Sequence, residues 1–133
     1  MKRLAPILLV FGILLGSTAR AEQVIYCQSE LATGFIKENG SWQSKDFNPK
    51  RFTIKFNDNF SLLKGVSYKP MECTFQYDHI PELISCVHAW GNYSTFKYNL
   101  KKSRFVHYFN PTGGYTMDGT DTENLYAGTC KQF

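Results

Sequence analysis

Three histidines, four cysteines and a scatter of carboxylates are the side chains in this 133-residue chain best equipped for chemistry. The histidines are His79, His88 and His107. A zinc site would need them to converge with one another or with a carboxylate. The chain has neither His-x-His nor H-E-x-x-H spacing. His88 and His107 would share a barrel interior if their strands face each other, but a satisfied or exposed histidine is the commoner arrangement. No G-x-S-x-G elbow is present to hold a nucleophilic serine. Six carboxylates, Glu72, Asp78, Glu82, Asp118, Asp121 and Glu123, are available for acid–base work. Each falls in a predicted loop or on the polar face of a predicted strand, where solvated surface charge is the default. A secreted ribonuclease would need a histidine and a basic residue converging on a phosphate, and spacing alone does not supply that.

The four cysteines are Cys27, Cys73, Cys86 and Cys130. No C-x-x-C pair is present, which argues against zinc. The N-terminus places them in an oxidising compartment. Met1-Lys2-Arg3 is followed by an apolar run from Leu4 to Leu15 and then by Ala19-Arg20-Ala21. This is the order of a secretory signal peptide of bacterial type, with cleavage expected after Ala21. The apolar run is shorter than the ~20 residues a membrane-spanning helix needs. An even cysteine count in a small exported domain implies two disulfides, which removes the thiolates a nucleophile would need. The pairing favoured is Cys73–Cys86, closing a local hairpin, and Cys27–Cys130, tying the first strand to the last. The long loop closed by the second would contribute on the order of 4 kcal/mol in the chain-entropy model.

Charge narrows the partners. The chain holds 15 basic and 11 acidic residues, a net of +4. Three of the basic residues, Lys2, Arg3 and Arg20, lie in residues 1–21, which hold no acid, so the remainder carries a net of +1. Basic residues gather at Lys97, Lys101, Lys102 and Arg104, and again at Lys45, Lys50, Arg51 and Lys55. Solvated strand faces account for both groups, and such lysines also discourage edge-to-edge pairing. Nucleic acid is an unlikely partner on this balance. Three Asn-x-Ser sites, at Asn39, Asn59 and Asn92, coincide with turn positions and are expected to be unmodified.

The elements that must position these residues read as strands. Thr33 to Phe47 is the organising hairpin. Its Asn39-Gly40 readily takes the two positive φ values of a type I′ turn, and Phe35 and Trp42 are diagonal neighbours read as core-filling rings. Before it, Gln23 to Cys27 is a short strand. Arg51 to Phe56 alternates, with Phe52, Ile54 and Phe56 on one face. Phe60 to Tyr68 is ambiguous: Ser61 to Lys64 could be a helical turn, which Gly65 would end. Met71 to Tyr77, Leu83 to Trp90, Tyr93 to Leu100 and Arg104 to Phe109 alternate again. They place Cys73, Cys86, His88, Trp90 and His107 on apolar faces. Tyr115 to Met117 reads as a short strand, and Asn124 to Cys130 closes the chain. The fold class is all-β: a small antiparallel up-and-down barrel or sandwich of about eight strands with two disulfides. The domain division is a signal peptide over 1–21 and a single β domain over 22–133.

Tyr26-Cys27, Gly34-Phe35, Asn39-Gly40-x-Trp42, Arg104-Phe105 and a terminal Gly128-Thr129-Cys130 occur in that order. This series resembles a group of small exported bacterial proteins of unknown function with a G-F-x-x-x-N-G-x-W hairpin and a C-terminal G-x-C. The resemblance implies an exported, disulfide-stapled β domain and brings no activity with it. In size, export and form the chain is also similar to periplasmic inhibitors of C-type lysozyme, which present a Ser-Gly-x-x-Tyr loop to the enzyme. The nearest segment here, Thr112-Gly113-Gly114-Tyr115, lacks the serine and is one residue short.

The reading that follows is a periplasmic or secreted, disulfide-stabilised β-barrel protein, monomeric and non-enzymatic. Its partner would be a protein, a glycan or a small apolar ligand. The alternatives are a lysozyme-inhibitor-like protein and, behind it, a small secreted hydrolase using His88 or His107. No cofactor and no metal are expected. The side chains singled out for binding are His88, Trp90, His107 and Tyr115.

Overall fold

The computed structural model describes residues 22–88, 94–120 and 122–132. The expected signal peptide and Trp90 lie outside them. Nine antiparallel strands run β1 (Gln23–Glu38), β2 (Ser41–Asp46), β3 (Arg51–Phe56), β4 (Leu62–Lys64), β5 (Met71–Phe75), β6 (Leu83–His88), β7 (Ser94–Asn99), β8 (Arg104–Phe109) and β9 (Glu123–Gln132). One 3₁₀ turn among the described residues, η1, covers Gly114–Met117. From β3 to β9 each strand pairs with the next, and β9 returns to pair with β1, which pairs with β3. Eight strands therefore close a barrel. The ninth, β2, pairs with β1 alone among the described residues.

Alternation along the strands sorts the side chains. Ile25, Ile54, Phe56, Leu63, Met71, Ile84, Phe96 and Phe105 point inward and are at most 2% exposed. One inward row can be followed around the barrel through directly opposed residues: Cys73, Cys86, Phe96, His107, Tyr126 and Ala32. Rings dominate the interior because short strands with large inward side chains can fill so narrow a space. Phe96 stacks on Phe105 with ring centroids 5.4 Å apart, and Phe52 meets Phe105 edge-on at 5.6 Å. The two disulfides are those expected, Cys27–Cys130 and Cys73–Cys86, each joining directly opposed residues. They span sequence separations of 103 and 13 residues.

Three expectations are corrected. Gln23–Cys27 and the first arm of the hairpin are one continuous 16-residue strand. It stays continuous because a β-bulge at Glu30 bends it where Ser29 faces Gly128 and Leu31 faces Ala127. Leu62–Lys64 is a strand, with only Leu63 inward at 1% exposure. Gly65 is needed there for close approach: a Cβ would lie 2.1 Å from the Thr53 carbonyl oxygen. Tyr115–Met117 belongs to the 3₁₀ turn, because Gly113 and Gly114, at φ 91° and 43°, curl the chain before it can extend. The Asn39-Gly40 turn is as expected, with φ of 51° and 78°.

Candidate functional site

The bulge at Glu30 creates the site by reversing which face each residue of β1 presents. Before it, Ile25, Cys27 and Ser29 point inward; after it, Ala32, Gly34 and Ile36 are the more covered set. Phe35 consequently turns outward and is 48% exposed. It faces Ser44 on β2 and Glu123 on β9, and Lys37 faces Trp42. Phe35 and Trp42 are therefore diagonal neighbours, as the hairpin register predicts, but on the outer face rather than in the core. Tyr108 of β8 lies beside Leu125 of β9 on the same outer surface. The segment carrying η1 folds over this surface and sets Tyr115 against Trp42, ring centroids 5.5 Å apart at 68°.

Two carboxylates hold that segment in place. Asp118 accepts hydrogen bonds from Lys37 Nζ at 2.8 Å and from Trp42 Nε1 at 3.1 Å. Those two donors hold the Asp118 carboxyl below its ordinary range, so it stays ionised and is unsuited to donating a proton. Glu123 Oε1 accepts from the Tyr115 backbone N–H at 2.8 Å and from Asn110 Nδ2 at 3.3 Å. Two glycines make room for Glu123. A Cβ on Gly34 would lie 1.8 Å from its carbonyl oxygen, and one on Gly114 would lie 2.6 Å from its Cγ. Glu123 Oε2 has no hydrogen bond among the described residues and is left to the cleft.

The result is a cleft of two adjoining recesses. One, of about 550 Å³, runs between Phe35, Trp42, Tyr115 and Glu123. The other, of about 300 Å³, is lined by Phe35, Tyr108 and Leu125. Both border Ser44 and Glu123. Other depressions follow the outer strands, one of about 450 Å³ near Leu31 and Arg104 and one of about 500 Å³ near Tyr26 and Arg51.

Of the residues singled out in the sequence, Tyr115 lines the cleft and is 61% exposed. His88 and His107 share the barrel interior, at 3% and 5% exposure. Trp90 lies outside the described residues. His107 Nε2 is 3.0 Å from Ser94 Oγ, and its Nδ1 is buried with no hydrogen-bond partner among the described residues. Burial, assisted by the positive charge of Lys50, pushes the His107 pKa down from 6.5 to about 4. His107 packs between Phe52 and Tyr126, with ring centroids 5.5 and 6.1 Å away. The described residues hold no group of three or more His, Cys, Asp or Glu placed to bind a metal ion.

Sequence reasoning missed Phe35, Trp42, Tyr108 and Glu123. The signal that could have found them is the Gly34-Phe35 step: a glycine flanked by a large ring in a strand marks a close backbone approach. Comparison of the chain with protein-family models, with curated proteins and with solved structures finds no match.

Proposed function

We propose that this chain is an exported, non-enzymatic binding protein that takes its ligand in the cleft between the β1–β2 hairpin and the η1 segment. The observation that carries this reading is the fixed Trp42–Tyr115 corner. Large rings left half in water and locked by side-chain hydrogen bonds are typical of recognition surfaces. The two disulfides suit an extracellular or periplasmic setting, and no helix among the described residues is long and apolar enough to cross a membrane. The sequence resemblance to small exported proteins agrees with that setting. The purified protein, oxidised and intact, would be titrated with soluble glycans, with a C-type lysozyme and with a small apolar dye by calorimetry, a readout that does not depend on tryptophan. Saturable binding of any of these, lost in Trp42→Ala, supports the reading. Turnover of RNA, peptidoglycan or an ester, abolished by substituting His88 or His107, overturns it.

A second reading, inhibition of a C-type lysozyme, is favoured by the exposure of Tyr115 at the end of the Thr112–Tyr115 segment. A lysozyme rate on a soluble substrate that does not change at micromolar protein removes it.

A further inference from the structure

The lining of the cleft favours one ligand class over the others, and this inference rests on the binding reading above. We infer that the cleft takes a neutral glycan carrying an N-acetylated pyranose. Trp42 and Tyr115 stand at 68° to one another, an open corner in which a sugar ring lies on one face and meets the second ring with its edge. Beside them Ser44 and Thr116 line the larger recess. Their hydroxyls carry no charge: Ser44 can donate and accept, and Thr116, which donates to the Gly113 carbonyl, can accept from a sugar hydroxyl. The smaller recess, walled by Phe35, Tyr108 and Leu125, is apolar and opens beside the first. It matches the methyl of an acetamido substituent, while the polar rim excludes a purely aliphatic ligand.

Charge argues the same way. Glu123 is the sole acidic or basic side chain among the described residues lining the two recesses. One of its oxygens is committed to the Tyr115 N–H, and the other is an acceptor for a hydroxyl or an amide N–H. Lys37, the nearby cation on β1, is spent on Asp118 at 2.8 Å. A phosphate or an acidic sugar would therefore meet a carboxylate with no cation to balance it. A cationic ligand would depend on the Glu123 charge, whereas a neutral sugar would need only its acceptor oxygens.

The test uses the full oxidised protein and a β-1,4-linked N-acetylglucosamine tetramer as the probe, with the corresponding glucose tetramer as control. Trp90→Phe leaves Trp42 as the one tryptophan, so fluorescence reports the cleft, while calorimetry measures binding by Trp42→Ala, which lacks that reporter. The expected result is saturable quenching by the N-acetylated tetramer and binding at least about tenfold weaker for Trp42→Ala, as for loss of one hot-spot ring. The glucose tetramer should bind more weakly. The deacetylated glucosamine tetramer, which is cationic and lacks the methyl, should also bind more weakly than the N-acetylated one. Circular dichroism melting of each variant establishes that it is folded. If the N-acetylated tetramer does not bind while lysozyme or the apolar dye binds in a Trp42-dependent way, the glycan inference is overturned and the binding site stands. If none binds, both fall. Tighter binding of the cationic deacetylated tetramer than of the N-acetylated one would point to a cation and also overturn the inference.

Discussion

Phe96 and Tyr126 lie around His107 at 0% and 3% exposure, whereas Phe35 and Tyr115 at the hairpin cleft stand 48% and 61% exposed. The same ring types thus serve two ends. Inside, they exclude water and are held by one another. Outside, they are held by polar groups: Trp42 by Asp118, and the backbone of Tyr115 by Glu123. A ring positioned by its neighbours' bulk supports the fold. A ring positioned by hydrogen bonds at its edge keeps a face for something else.

This contrast can be broken by substitution. Phe96→Ala, in the fully buried row, is expected to destabilise the barrel by about 4 kcal/mol, the usual loss for a large ring removed from a packed core. Chemical denaturation measures it, and a value near zero would mean the interior is not closely packed. The next largest effect is pH-dependent. The folded pKa of His107, about 4, is below its unfolded value of 6.5, so between these the unfolded chain binds the proton that the folded chain refuses. Stability should therefore be complete above about pH 6.5, fall as pH drops toward 4, and lose about 3 kcal/mol to this residue over that window. Comparing unfolding free energies of His107→Phe and the parent across pH isolates this contribution; parallel pH curves would refute it. At the cleft, Gly114→Ala forces a side chain into a left-handed conformation at φ 43° and onto Glu123. A loss of about 1–2 kcal/mol is expected, together with displacement of Tyr115, visible as altered near-ultraviolet dichroism. The smallest stability change belongs to Trp42→Ala, below about 1 kcal/mol because the ring is not in the core. A drop as large as that of Phe96→Ala would erase the distinction between the two regions.

Much of the interior was legible from residue order. Phe52-x-Ile54-x-Phe56 and Phe105-x-His107 alternate as half-buried strands must, and those residues line the barrel. The Asn39-Gly40 turn and both disulfides followed from local chemistry and an even cysteine count. The cleft was not legible, for a definite reason. Alternation carries its phase from one residue to the next, and the extra residue at Glu30 resets it. Phe35 and Trp42 then face outward although their pattern matches a core hairpin. Nothing in β1 itself announces the bulge; its counterpart is Gly128, 98 positions beyond Glu30 in the chain and directly opposite Ser29, where a Cβ would lie 2.0 Å from the Gln28 carbonyl oxygen. Glu123 was assigned to solvent for a similar reason. Its role depends on Gly34 and Gly114 approaching it from distant parts of the chain.

The pairing of β9 with both β1 and β8 has a consequence for how the molecule is made. During directional synthesis β1 emerges first, yet its partner Glu123–Gln132 comes about a hundred residues later. Until then β1 and β8 each carry a bare hydrogen-bonding edge, the feature most prone to wrong pairing between chains. Closing the cylinder is accordingly a late, non-local event and a slow one for a chain of this size. The Cys27–Cys130 bond, joining residues 103 apart, fastens the two strands that this closure brings together.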